Sequence, residues 1–129
     1  LSFLKELVNR FWNYLPAFFC AIVIYILSTS ESIQLPAESI ISPDKVGHFI
    51  AYSVLSFLIF VGLSKEGSIS KFKILFVILL CTLYGVFLEF LQYTFFPNRF
   101  FDLWDAAANF IGSVIGFLTF RQLFQNLNN

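Results

Sequence analysis

Charge is what this chain has least of. Only 12% of its 129 residues are charged, against about 25% in an ordinary soluble domain. Eight basic residues balance eight acidic ones, so there is no basic stripe and nothing to recruit nucleic acid. Cysteine is equally scarce. Cys20 and Cys81 sit far apart in apolar runs, a spacing that suggests neither a disulfide-stapled secreted module nor a metal site. The chain also lacks a phosphate-cradling glycine loop, and no Ser or Cys sits in a nucleophile motif. What it has in excess is apolar surface: 58% hydrophobic residues, 20% aromatic, and nineteen Phe. A soluble domain of this size has too little interior to hide that much. These figures predict a single membrane-embedded domain over residues 1–129.

Crossing a bilayer core of about 30 Å takes roughly 20 helical residues. Four nearly charge-free runs meet that length, predicting an all-α integral membrane protein with four transmembrane helices in a compact bundle. Their expected bounds are about 11–30, 44–64, 71–96 and 102–120. The first run follows Lys5 and Arg10 as a signal peptide would, but it has no small-x-small cleavage site, so it reads as a retained anchor. Pro16 lies near its start, where a helix tolerates proline or kinks. Ser42-Pro43-Asp44 reads as a cap, a first-position proline and a first-turn acid for the second helix. Ser70 is positioned to cap the third, Asp102 with Asp105 the fourth, and Lys65 to Ser68 reads as a polar turn.

The basic residues set the expected orientation. Lys5, Arg10, Lys65, Lys71, Lys73 and Arg121 fall on the side of the termini and the middle loop, with only Lys45 and Arg99 opposite. Both termini are therefore expected in the cytoplasm, and the loops near 31–45 and 97–102 outside.

On that arrangement the unusual polar residues gather at the outer side. Asp44, His48 and Tyr52, spaced by four, share a face of the second helix. Glu89 and Gln92 share a face of the third, with Gly85 one turn below. Asp102, Asp105, Asn109, Gly112 and Gly116 run down the fourth in steps of three or four. Polar groups are costly in hydrocarbon, so these faces are expected to look inward at one another. Gly112 and Gly116 form a small-xxx-small pair that permits close helix contact.

Asp44-Lys45-x-x-His48-Phe49-x-x-Tyr52, Glu89-x-x-Gln92, Arg99, and Asp105-x-x-x-Asn109-x-x-Gly112-x-x-x-Gly116 together resemble the VanZ family. The resemblance spans about residues 11–120. It implies a small multi-helix protein of the bacterial envelope and a link to glycopeptide resistance of the teicoplanin type. The resemblance implies a fold and a membrane setting rather than a particular reaction.

The residues themselves leave several functions open. An ionisable group inside a membrane is costly, which favours a functional His48 and Glu89 over core residues that merely satisfy one another. These two are the candidate acid and base, if there is catalysis. Lys45 and Arg99 suit an anionic group, Arg99 by its planar fork, although both could be headgroup-level anchors. Asp44, Tyr52, Gln92, Asp105 and Asn109 complete the expected ligand-binding set, while Asp102 is explained by capping alone. One His with Glu89, Asp44, Asp102 and Asp105 could take a divalent cation, but no ligand spacing demands it, so neither metal nor cofactor is expected. Trp12, Tyr14, Tyr93 and Trp104 read as interfacial belt residues. The leading expectation is a cytoplasmic-membrane protein whose outward polar pocket engages a lipid headgroup or lipid-linked envelope precursor. An envelope-lipid enzyme, a proton-coupled carrier and a structural partner subunit are the alternatives.

Overall fold

A computed structural model describes residues 1–29, 43–95 and 102–127. Four helices account for nearly all of them: α1 Ser2–Thr29, α2 Pro43–Ser64, α3 Lys71–Phe95 and α4 Leu103–Leu127. Each is long and apolar enough to cross a membrane, which bears out the expected all-α, four-span architecture. The physical reason is that hydrocarbon offers backbone N–H and C=O groups no partners, so an apolar segment bonds to itself as a helix.

The helix ends follow local chemistry. Pro43 opens α2, where its missing N–H would have had no intrahelical partner. Ser70 Oγ accepts from the Lys73 amide at 3.3 Å and caps α3. Asp102 Oδ1 accepts from the Trp104 amide at 2.9 Å and caps α4. Between α2 and α3 the chain turns through Lys65 and Glu66, and Gly67 takes a φ of 137°, open to glycine and strained for other residues. Ser42 lies outside the described residues.

Two helices are longer than their apolar runs. Helix α1 begins at Ser2 rather than near residue 11, because Lys5, Glu6, Asn9 and Arg10 end the apolar run without breaking the helix. An Arg10–Glu6 pair at 3.1 Å even supports those added turns. Helix α4 likewise continues past residue 120 to Leu127. Pro16 therefore lies mid-helix, where its ring leaves the Trp12 carbonyl without an i+4 donor.

Helices α2 and α4 make the most extensive contact in the bundle, and glycine makes it possible. A Cβ on Gly112 would lie 2.5 Å from the Phe49 carbonyl oxygen, and one on Gly116 would run into the Ser53 carbonyl. Serine hydroxyls then bridge the closely packed backbones. Ser53 Oγ donates to the Gly112 carbonyl at 2.9 Å and Ser56 Oγ to the Ser113 carbonyl at 2.7 Å. Below them Phe60 packs on Phe117 and Phe120 on Phe124, with ring centroids 4.9 and 4.7 Å apart. Helix α1 joins through Tyr14, which lies over Gly62, and through the Ala21 carbonyl, which accepts from Tyr84 at 2.6 Å. Outside this core, Phe18, Phe19, Phe76, Phe87, Phe90 and Phe110 are exposed, the perimeter expected of a bundle solvated by lipid.

Side-chain pairings sort the helix ends into two groups. Arg10 of α1 approaches Glu66, just past α2. At the other end Gln92 of α3 reaches Ser28 of α1, and Lys45 of α2 reaches Asp102 before α4. The polar residues of interest all belong to this second end.

Candidate functional site

Three helices each deliver one titratable group to a common point. His48 comes from α2, Glu89 from α3 and Asp105 from α4. One nitrogen of His48 and one oxygen from each carboxylate lie within 4.8 Å of one another. Both acids are nearly sealed off, Glu89 at 4% exposure and Asp105 at 5%. His48 Nε2 stands 3.7 Å from Glu89 Oε1, beyond hydrogen-bond length but close enough for strong electrostatic coupling in a low-dielectric interior.

The imidazole is positioned from two sides. Asn109 places its Oδ1 at 3.1 Å from His48 Nδ1, an acceptor for the proton on that nitrogen, and Nε2 faces Glu89. Tyr52, one turn further along α2, lies parallel to the imidazole at 6.3 Å between centroids with 2° between planes. Asn109 and Tyr52 are fully buried, and both lean on Gly85. A Cβ there would overlap the Asn109 amide and lie 3.1 Å from Tyr52 Cζ. Among the described residues neither Asn109 Nδ2 nor the Tyr52 hydroxyl has a hydrogen-bond partner.

The other expected site residues divide. Lys45, half-buried, pairs with Asp102 at 3.2 Å, so Asp102 serves as both cap and counter-ion. The capping role alone does not account for it. Gln92 is buried but donates from Nε2 to the Ser28 carbonyl, fastening α3 to α1 rather than joining the cluster. Arg99 and the Asp44 side chain lie outside the described residues.

Sequence reasoning missed what lies beside the cluster. A groove of about 520 Å³ runs between α1, α2 and α3, lined by apolar residues such as Ala21, Leu55, Ile59 and Val77, with Glu66 and Lys73 at its first-end mouth. Its inner limit is Tyr84, whose ring lies 6.3 Å from Tyr52. The groove thus begins one aromatic ring away from the ring that covers His48. No polar signal could have found it, since its walls read like any other apolar helix surface.

The model of the VanZ/LLP1 family matches residues 5–125, nearly the whole chain and every element of the cluster. The chain belongs to the VanZ/LLP1 family. Neither a curated protein nor a solved structure gives a significant match. For this VanZ/LLP1 bundle, then, the chemistry rests on its own geometry. The His48 imidazole and two buried carboxylates form a centre that can exchange protons, orient a polar group or bind a cation.

Proposed function

We propose that this VanZ/LLP1 protein sits in the bacterial cytoplasmic membrane with both termini cytoplasmic, and engages a lipid headgroup or lipid-linked envelope precursor at its outer end. One observation carries the reading: the same bundle holds a buried His48–Glu89–Asp105 centre and an apolar groove that reaches Tyr84, whose ring lies 6.3 Å from that of Tyr52. An amphiphile presents that same pairing of polar head and apolar tail. Lys45, shared with Asp102, and Arg99, expected nearby from the sequence, would supply positive charge for a phosphate or carboxylate, while Glu89 and Asp105 suit hydroxyl or ammonium groups. In cells exposed to a lipid-anchored glycopeptide, such binding changes how the drug meets the membrane.

Lipid co-purification tests this. Native protein in mild detergent is expected to retain an envelope lipid, seen by mass spectrometry, that Arg99→Ala and Glu89→Gln variants of normal helicity lose. A host expressing native protein is expected to differ in teicoplanin susceptibility from one expressing the variants. Equal lipid content and equal susceptibility across all three would end the proposal.

The 3.7 Å approach of His48 Nε2 to Glu89 favours a second reading, an envelope-lipid enzyme using these two as base and acid. Turnover of radiolabelled envelope lipid by the purified protein, abolished in His48→Ala, would select it over simple binding.

A further inference from the structure

The spacing of the cluster is informative beyond lipid recognition. Donors held about 2.1 Å from a small dication lie roughly 3.0–3.4 Å from their neighbours. The His48 Nε2 to Glu89 Oε1 distance of 3.7 Å is slightly wider, and the whole set falls within 4.8 Å. Ion binding would draw the donors together by up to about 1.4 Å, from 4.8 Å to 3.4 Å. The three donors come from three helices, so the bundle itself fixes their convergence, not the local spacing of any one helix.

The surroundings fit a ligating histidine. Metal-bound imidazoles usually donate their second nitrogen to an oxygen acceptor, which fixes the tautomer and aims the free lone pair at the ion. Asn109 Oδ1 holds His48 Nδ1 in that way at 3.1 Å. Two fully buried donors, the Tyr52 hydroxyl and Asn109 Nδ2, have no partner among the described residues and sit over Gly85, one turn from Glu89. They give the histidine polar rather than apolar surroundings.

We propose that His48 Nε2, Glu89 and Asp105 bind one divalent first-row transition ion, Zn2+ or Mn2+, with Asn109 as a positioning residue behind the imidazole. One nitrogen and two carboxylate oxygens suit these ions better than the soft, thiolate-preferring Cu+. Three protein ligands leave a coordination position open for an exogenous oxygen, and a dication is the charge that two buried carboxylates favour most. The site stands apart from the lipid reading, because it is tested on protein stripped of lipid.

The test uses the full chain in detergent, freed of metal with a chelator and checked for helicity by circular dichroism. Calorimetry with Zn2+ and Mn2+ is expected to give one ion per chain, and Co2+ substitution a d–d absorption spectrum. Glu89→Gln and Asp105→Asn, both isosteric, are expected to lose at least 100-fold in affinity and to lose the Co2+ spectrum. Asn109→Leu is expected to weaken binding about 10- to 100-fold. Asn109→Asp, whose carboxylate still accepts from Nδ1, is expected to restore it. Helical native protein that binds none of the three ions, or binding that survives both isosteric changes, overturns the site. Loss of metal binding with lipid retention intact would leave the lipid reading standing, and the reverse would leave the metal standing.

Discussion

Asn109 touches His48 with one end of its amide and crowds Gly85 with the other, so a methyl group on α3 should be felt on α2. In Gly85→Ala the new Cβ overlaps the amide and has to push it off the imidazole. Because the chain has a single histidine, nitrogen NMR can read this directly. Native protein is expected to show the Nδ1–H tautomer, and the variant a mixture or the Nε2–H form, with stability lower by about 1–3 kcal/mol from overpacking. An unchanged tautomer would mean that Asn109 does not set it. At this scale the sequence was informative wherever polarity is costly. Asp105 and Asn109 were legible because hydrocarbon tolerates such residues only when they face inward. Gln92 was not, since a spacing of three from Glu89 gives a shared face but does not say which neighbour each side chain meets. Asp102 was undervalued for a similar reason: its cap is local and visible in sequence, whereas its pairing with Lys45 exists only once α2 and α4 meet.

Between helices, the contact of α2 with α4 combines two devices of different strength. Hydrogen bonds such as Ser56 to Ser113 are worth about 0.6 kcal/mol each in membranes, because the separated helices also find partners. Glycine at Gly112 and Gly116 instead sets how near the backbones can come. Ser56→Ala is therefore expected to cost only that small amount. Gly112→Val, whose side chain would run into the Phe49 carbonyl, is expected to cost several times more and to abolish the cluster with it. Reversible unfolding in bicelles would rank the two, and the opposite order would show that the hydroxyls, not close approach, hold the pair. The small-xxx-small signature was readable beforehand because its meaning is local to one helix. The lengths of α1 and α4 were not: apolar runs mark where lipid is, and polar residues such as Arg10 and Arg121 end a run while the helix continues into water.

For the whole molecule, orientation decides which leaflet the polar centre meets. Cysteines introduced one at a time into a Cys20→Ser, Cys81→Ala background would test it with a membrane-impermeant maleimide. Ser39→Cys is expected to label in intact spheroplasts, and Ser68→Cys only after permeabilisation. The reverse pattern would place the centre in the inner leaflet and rule out the extracellular drug encounter proposed for it. The bundle was predictable from composition and run length, because both follow from the bilayer's thickness and its lack of hydrogen-bonding partners. The groove was not, since which apolar walls stand apart depends on how α1 is tethered to its neighbours, by Tyr84 to Ala21 and Gln92 to Ser28.

The glycine–serine seam also has a bearing on how the protein is made. It joins the second helix to the fourth, so the ribosome must synthesise and insert α3 before α2 can meet its principal neighbour. Until then α2 carries His48, Ser53 and Ser56 into the bilayer with their α4 partners Asn109, Gly112 and Ser113 not yet translated. The centre is thus the last feature to come into being, and a nascent chain arrested before α4 has spans but no site. Any factor that shelters half-made membrane proteins would find its need in α2, during the interval when α3 is being threaded.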